Sequence, residues 1–269
     1  MVAEKGPTFM PTSRNGSSAR LRVAPSVTLA VALLAPAYPP GARAATEVPA
    51  VSPGLNSPFV GTDVSHWQGI FERPGREVFD QRFRIVQATG VRPGMTVADV
   101  GAGTGLFTVL FARAVGPKGK VYAVDISKDF VADIERRAAA YHVGNVAVVL
   151  SNPRDTLLPW DSVDLAFICD SYHHFAYPRP MLSSVARALK PDGELIVVDF
   201  RRIPGVSSRW VMQHVRAGEA EVTKEIKAAG FELIGREGFL RENYFLRFRK
   251  APQVDQAAPP GPGKKRPPG

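Results

Sequence analysis

The stretch Thr96-Val97-Ala98-Asp99-Val100-Gly101-Ala102-Gly103-Thr104-Gly105 runs an apolar strand into a loop with glycine at every second position. A second apolar run ends on Asp125, twenty residues beyond Gly105. Three glycines so close together are needed where a backbone turns sharply and another group must lie against it. An acid at the end of the following strand is placed to accept hydrogen bonds from sugar hydroxyls. Together they describe a nucleoside-binding site.

The spacing separates two kinds of nucleoside ligand. A dinucleotide fingerprint, G-x-G-x-x-G, wants glycine at position 106, which is Leu106. The third glycine comes one residue early, at Gly105, and Asp99 precedes the loop. A carboxylate at the end of the first strand repels a pyrophosphate and favours a sulfonium or ammonium group. An NAD-dependent dehydrogenase is therefore disfavoured.

The remainder of the 269-residue chain bounds the rest. Its 45% hydrophobic and 22% charged content is that of a globular protein with a sizeable core. The net charge of +9 is concentrated at the ends, in Lys5, Arg14, Arg20, Arg22 and Arg43 and again in Lys264, Lys265 and Arg266. The folded part carries little excess charge, so no nucleic-acid partner is expected. The single Cys169 excludes an internal disulfide and a cysteine-rich metal site, and it reads as a buried structural thiol. Residues 1–44 have the order of a secretory signal: arginines, an apolar run from Val23 to Ala35, then Ala42-Arg43-Ala44. That run is too short to span a bilayer, so export rather than anchoring is the expectation. Residues 45–58 read as a linker and 251–269 as a Pro- and Gly-rich basic tail that cannot bury a core, leaving a domain at 59–250.

Within the domain, strands and helices alternate. Residues 76–89 place Val78, Phe79, Phe83 and Val86 at helical spacing. Strands are predicted at 96–100, 120–125, 146–150, 163–169, 194–200, 231–237 and 244–250. Helices are predicted at 106–115, 129–142, 180–189 and 219–229, with a turn at Pro191-Asp192-Gly193. The run 146–150 is wholly apolar and reads as buried on both faces. The last two strands are joined by a short loop and should pair antiparallel. Such alternation predicts a doubly wound α/β sheet with its ligand beyond the carboxyl ends of the strands.

From about Val78 to Lys250 the chain resembles the class I S-adenosylmethionine-dependent methyltransferases. The first motif is Asp99 with Gly101, Gly103 and Gly105; then come Asp125, the Leu158-Pro159 and Ser162-Val163-Asp164-Leu165 segments, and Leu189-Lys190-Pro191-Asp192-Gly193. That order is similar to the type 11 small-molecule methyltransferases, which include quinone-biosynthesis C-methyltransferases. Asp192 stands where the group usually has glycine. The resemblance implies a Rossmann-like, seven-stranded, mostly parallel sheet with an antiparallel final strand, S-adenosylmethionine as cofactor, and methyl transfer to a small-molecule acceptor. It implies that Gly101, Gly103 and Gly105 pass under the cofactor, that Asp99 orients its methionine part, that Asp125 holds the ribose hydroxyls and that Ile126 packs on the adenine. After the third strand the family places an acid or Asn against the adenine amino group; Asp155 is the first candidate here and Asn152 the second.

Asp170-Ser171-Tyr172-His173-His174-Phe175 follows the fourth strand, where cofactor and acceptor meet in this family. His173 or His174 is the candidate base for an acceptor proton, and Asp170 and Tyr172 are candidates for lining the pocket. Adjacent histidines point apart, and no cluster at ligand spacing accompanies them, so no metal is expected. In related enzymes the region before the first strand, here His66-Trp67, Phe71-Glu72 and Arg76-Glu77, often forms a lid. His214 and Arg216 fall in another segment that shapes acceptor pockets. The competing reading is an exported, non-catalytic binding protein on the same fold.

Overall fold

The computed structural model describes residues 47–252, all of which belong to one unit, 45–269. The signal-like segment 1–44 and the tail beyond residue 252 lie outside the described residues. In chain order the elements are α1 (Val64–Phe71), α2 (Glu77–Asp80), α3 (Arg82–Ala88), β1 (Thr96–Val100), α4 (Leu106–Val115), β2 (Lys120–Asp125), α5 (Lys128–Ala140), β3 (Val146–Leu150), β4 (Val163–Cys169), α6 (Pro178–Ala188), β5 (Leu189–Phe200), α7 (Arg209–His214), α8 (Glu219–Ala228), β6 (Phe231–Glu237) and β7 (Asn243–Lys250). Short 3-10 turns cover Ser57–Phe59 and Tyr172–His174.

The sheet has seven strands in the order β3-β2-β1-β4-β5-β7-β6. Strands β1 to β5 pair parallel, and β7 runs antiparallel to both β5 and β6. Adjacent strand residues feed opposite faces because side chains alternate across a sheet. Val97 packs with Phe107, Phe111 and Val115 of α4 and with Val78 and Ile85. Ala98 faces the other layer, with Leu182 and Val185 of α6 and Val222 and Ile226 of α8. The chain order reverses between β1 and β4, which opens the crevice above the carboxyl ends of these two strands.

Several local expectations change. The helix expected at 76–89 is broken at Gln81, and its inner face is Val78 and Ile85, with Phe83 turned to solvent. Strand β3 is only half-buried because it is a sheet edge. The expected turn at Pro191–Gly193 is absorbed into β5 as an irregularity: Val163 pairs with Leu189, and Leu165 pairs with Glu194. Part of the stretch read as a linker packs on the domain, where Ala50 donates its amide to the Ala176 carbonyl at 2.7 Å. Among the described residues no helix is long and apolar enough to cross a membrane.

Candidate active site

A cavity of about 1040 Å³ lies over the crevice at the carboxyl ends of β1, β2 and β4. Its size is just above the roughly 300–1,000 Å³ usual for small-molecule sites. One end is built by the glycine loop and Asp125, the other by three histidines.

At the first end the loop after β1 takes the left-handed conformation at Gly101 (φ 75°), Gly103 (φ 54°) and Gly105 (φ 76°). Their reasons differ. A Cβ on Gly101 would sit 2.6 Å from the Ser171 Cβ, so this glycine lets the loop press against the segment after β4. Gly103 faces the cavity and donates its amide to Asp125 Oδ2 at 2.8 Å. Gly105 does not line the cavity; it starts α4 and would carry a Cβ 3.1 Å from Ile134 of α5. The third glycine is therefore required by helix packing.

Asp125 is buried and also accepts the Ser127 amide at 2.9 Å. Burial pushes its carboxyl upward, while these amides favour the charged form. Ser127 itself caps α5. Ile126 beside it is 42% exposed into the cavity, an apolar side chain left open to a flat ring. Asp99 lines the floor, accepts the Thr108 hydroxyl at 2.6 Å, and is pushed up to about 7 by burial.

Asn152 and Asp155 are corrected. Neither lines the cavity. Asn152 Oδ1 accepts the amides of Arg154 and Asp155, and Asp155 caps Leu157 and pairs with Arg187 at 2.7 Å. Short polar side chains in a tight turn satisfy their own backbone. Ser151 and Pro153 are the residues after β3 that reach the cavity.

Tyr172 is corrected as well. It is fully buried on the far side of the loop, where its hydroxyl donates to Glu225 at 2.8 Å and Glu225 pairs with Arg216. Burial raises its phenol well above the ordinary value, so it is a structural donor. Arg216 is drawn into the same network and does not line the cavity.

Asp170 does line it, with φ 46°, held by Arg76 at 2.6 Å and by the Asn243 amide at 2.6 Å. Burial raises it to about 6 against the pull of Arg76. Arg76 thereby ties the segment before β1 to the loop after β4. Trp67, Phe71 and Arg76 roof the cavity, and Glu72 pairs with Arg137 of α5 and accepts the Thr104 hydroxyl. Glu77 instead accepts the amides of Arg241, Glu242 and Asn243, and His66 faces solvent. Three of the six residues named for a lid, Trp67, Phe71 and Arg76, thus line the cavity. Cys169 is partly buried at the cavity wall, with burial holding its thiol neutral.

At the far end His173, His174 and His214 converge. His173 Nδ1 lies 2.7 Å from Asp199 Oδ1, and its backbone amide donates to Asp199 Oδ2. Burial alone would lower His173, but the Asp199 carboxylate outweighs it and raises the imidazole. His174 Nδ1 lies 2.8 Å from Asn56 Oδ1, and its Nε2 lies 3.4 Å from His214 Nε2. Burial and the neighbouring histidines depress His174 to about 3, so it is neutral. His214 stacks on Trp210 at 4.5 Å. Asp199 and Asn56 were missed in the sequence: one reads as the penultimate residue of an apolar strand, the other as linker.

Residues 97–193 match the methyltransferase-domain family. The ubiquinone/menaquinone biosynthesis C-methyltransferase UbiE of Vibrio vulnificus is 35% identical over 123 residues, 45% of this chain and 47% of that protein. Its counterpart in Hydrogenovibrio crunogenus is 31% identical over 119 residues, 44% of this chain and 47% of that one. A solved S-adenosylmethionine-dependent methyltransferase from Aquifex aeolicus superposes with a TM-score of 0.62 at 27% identity, covering 69% of this chain and 97% of that one. Residues 97–193 are thus a methyltransferase domain, and the fold around them is similar to that of the S-adenosylmethionine-dependent methyltransferases. It spans about half the length of the curated relatives it matches.

Proposed function

We propose that this protein transfers a methyl group from S-adenosylmethionine to a small-molecule acceptor. The observation that carries the reading is one cavity joining the Gly103–Asp125 grip to the histidine wall. The residues at the first end fit the cofactor: an open face at Gly103, a carboxylate for the ribose at Asp125, an exposed apolar surface at Ile126, and Asp99 for a cationic amino-acid part. When bound there, the cofactor supplies an electrophilic methyl on a sulfonium. Catalysis then rests chiefly on positioning and on exclusion of water by the Trp67–Arg76 roof. The imidazole wall orients the acceptor and favours loss of its proton. Aromatic lining by Phe59, Phe200 and Trp210 favours an acceptor with a ring or another apolar body.

Calorimetry with S-adenosylhomocysteine tests the cofactor half; absence of binding at millimolar ligand would sink the proposal. Mass spectrometry of a metabolite extract incubated with labelled cofactor identifies the acceptor. Export through residues 1–44 is part of the proposal, supported by the signal-like order of that segment. An intact Met1 in the cytoplasmic fraction would refute it.

A further inference from the structure

We propose that His173, His174 and His214 form a binding site for one divalent transition-metal ion of the zinc class, with an open coordination position facing the acceptor end of the cavity. One ring nitrogen from each lies within 4.8 Å of those of the other two. Three residues from two distant segments meet at this point, two on the turn after β4 and one on α7.

Behind two of the three rings the arrangement is that of a ligand set. Imidazoles that hold metals are fixed through their second nitrogen by a carboxylate or carbonyl, which sets the tautomer and aims the free lone pair. Asp199 does this for His173 at 2.7 Å and Asn56 for His174 at 2.8 Å, both through Nδ1. Nε2 of each ring is left as the ligand atom. For bonds of 2.0–2.1 Å in a tetrahedral site, two nitrogens sit about 3.3–3.4 Å apart. The Nε2 atoms of His174 and His214 are 3.4 Å apart. The wider separation within the cluster requires one ring to turn inward, and for His214, half-buried at the end of the six-residue α7, that means leaving its stack on Trp210.

The donor chemistry selects the ion. Three neutral imidazoles suit Zn²⁺ and its first-row neighbours, whereas Mg²⁺ and Ca²⁺ require oxygen ligands. Three protein ligands leave a fourth position open, as in catalytic rather than structural sites. All three rings line the cavity, so that position faces it. This last part rests on the methyltransfer reading: a protic acceptor bound to the ion would give its proton to solvent and present an anionic heteroatom to the methyl donor.

The test uses the full chain, stripped with a chelator and titrated with Co²⁺ followed by its visible absorption, and with Zn²⁺ by calorimetry. One ion per chain is expected. His214→Ala should lose the band. Asn56→Ala, which leaves all three rings, should weaken binding by about 10–100-fold, the typical effect of removing an outer partner. The double variant His66→Ala/His142→Ala, which removes the two histidines of the chain that lie outside the cluster, should bind as the parent does. No saturable binding at micromolar Co²⁺, or undiminished binding in both His214→Ala and His174→Ala, would overturn the proposal. S-adenosylhomocysteine calorimetry on the same sample separates the two readings: cofactor binding without metal binding overturns only the metal site, and the reverse overturns only the methyltransfer.

Discussion

The backbone amide of Gly103 donates to Asp125 Oδ2 at 2.8 Å, so the acid ending β2 clamps the loop that follows β1. Two features separated by 22 residues thus form one structural unit, and the carboxylate that would meet the ribose also sets the shape of the loop beneath it.

Asp125→Ala should therefore do two things. Loss of its charge-assisted hydrogen bonds weakens S-adenosylhomocysteine binding by about 1–3 kcal/mol. It also frees the Gly103 amide, which should exchange faster with deuterium than in the parent. Calorimetry and hydrogen exchange read the two effects separately, and unchanged affinity refutes the ribose assignment.

Asp99 gives a pH dependence with a defined sign. Its folded value, about 7, is raised above the ordinary carboxylate range, so the folded state binds this proton more tightly than the unfolded chain. Its contribution to stability is present at low pH and is lost as pH rises to about 7. Asp99→Asn should raise the Tm relative to the parent at pH 8 and change it little at pH 4. A ligand ammonium favours the charged carboxylate, so parental affinity for S-adenosylhomocysteine should fall below pH 7, by up to about tenfold per unit. The Asp99→Asn variant should show weak binding with a flat profile.

Tyr172→Phe should destabilise without touching the site. The lost hydrogen bond to a charged partner is worth about 1.5–3 kcal/mol, and the Glu225–Arg216 pair that remains places the cost at the low end. Thermal unfolding should show a lower Tm while cofactor affinity stays unchanged. A fall in affinity would return Tyr172 to the pocket.

Gly101→Ala meets both left-handed strain and the Ser171 side chain at 2.6 Å. Strain alone costs about 1–3 kcal/mol. Ser171→Gly in the same chain removes the collision and leaves the strain, so the double variant should recover part of the stability. Denaturant unfolding of the four proteins of the cycle measures the coupling; simple additivity would show that the two residues do not meet.

The legible parts of this protein were those written in local pattern. Strands β1, β2, β3, β4 and β6 fall where apolar runs begin and end, because each run is bounded by its own turn residues. The alternation of elements gave the mostly parallel sheet, and the short loop before β7 gave its antiparallel pairing. Where the reading failed, a tertiary contact had overruled a local one. Phe83 has helical spacing but points to solvent because α3 lies on Ile85. Asn152 and Asp155 went the other way: they have the residue types of an adenine contact, but Asn152 spends its side chain on its own turn and Asp155 pairs with Arg187.

The sequence by itself determined the glycine loop, its two acids and hence the nucleoside end of the cavity, since these lie at the ends of adjacent strands whose order follows from their connections. Only the tertiary structure decided the other end. His214 reaches His174 across 40 residues, Asp199 reaches His173 across 26, and Asn56 reaches His174 across 118. No spacing rule encodes such meetings, because they follow from how β5, α7 and the chain before α1 pack around the sheet. The same packing turned Tyr172 away from the pocket and left the histidines beside it facing in.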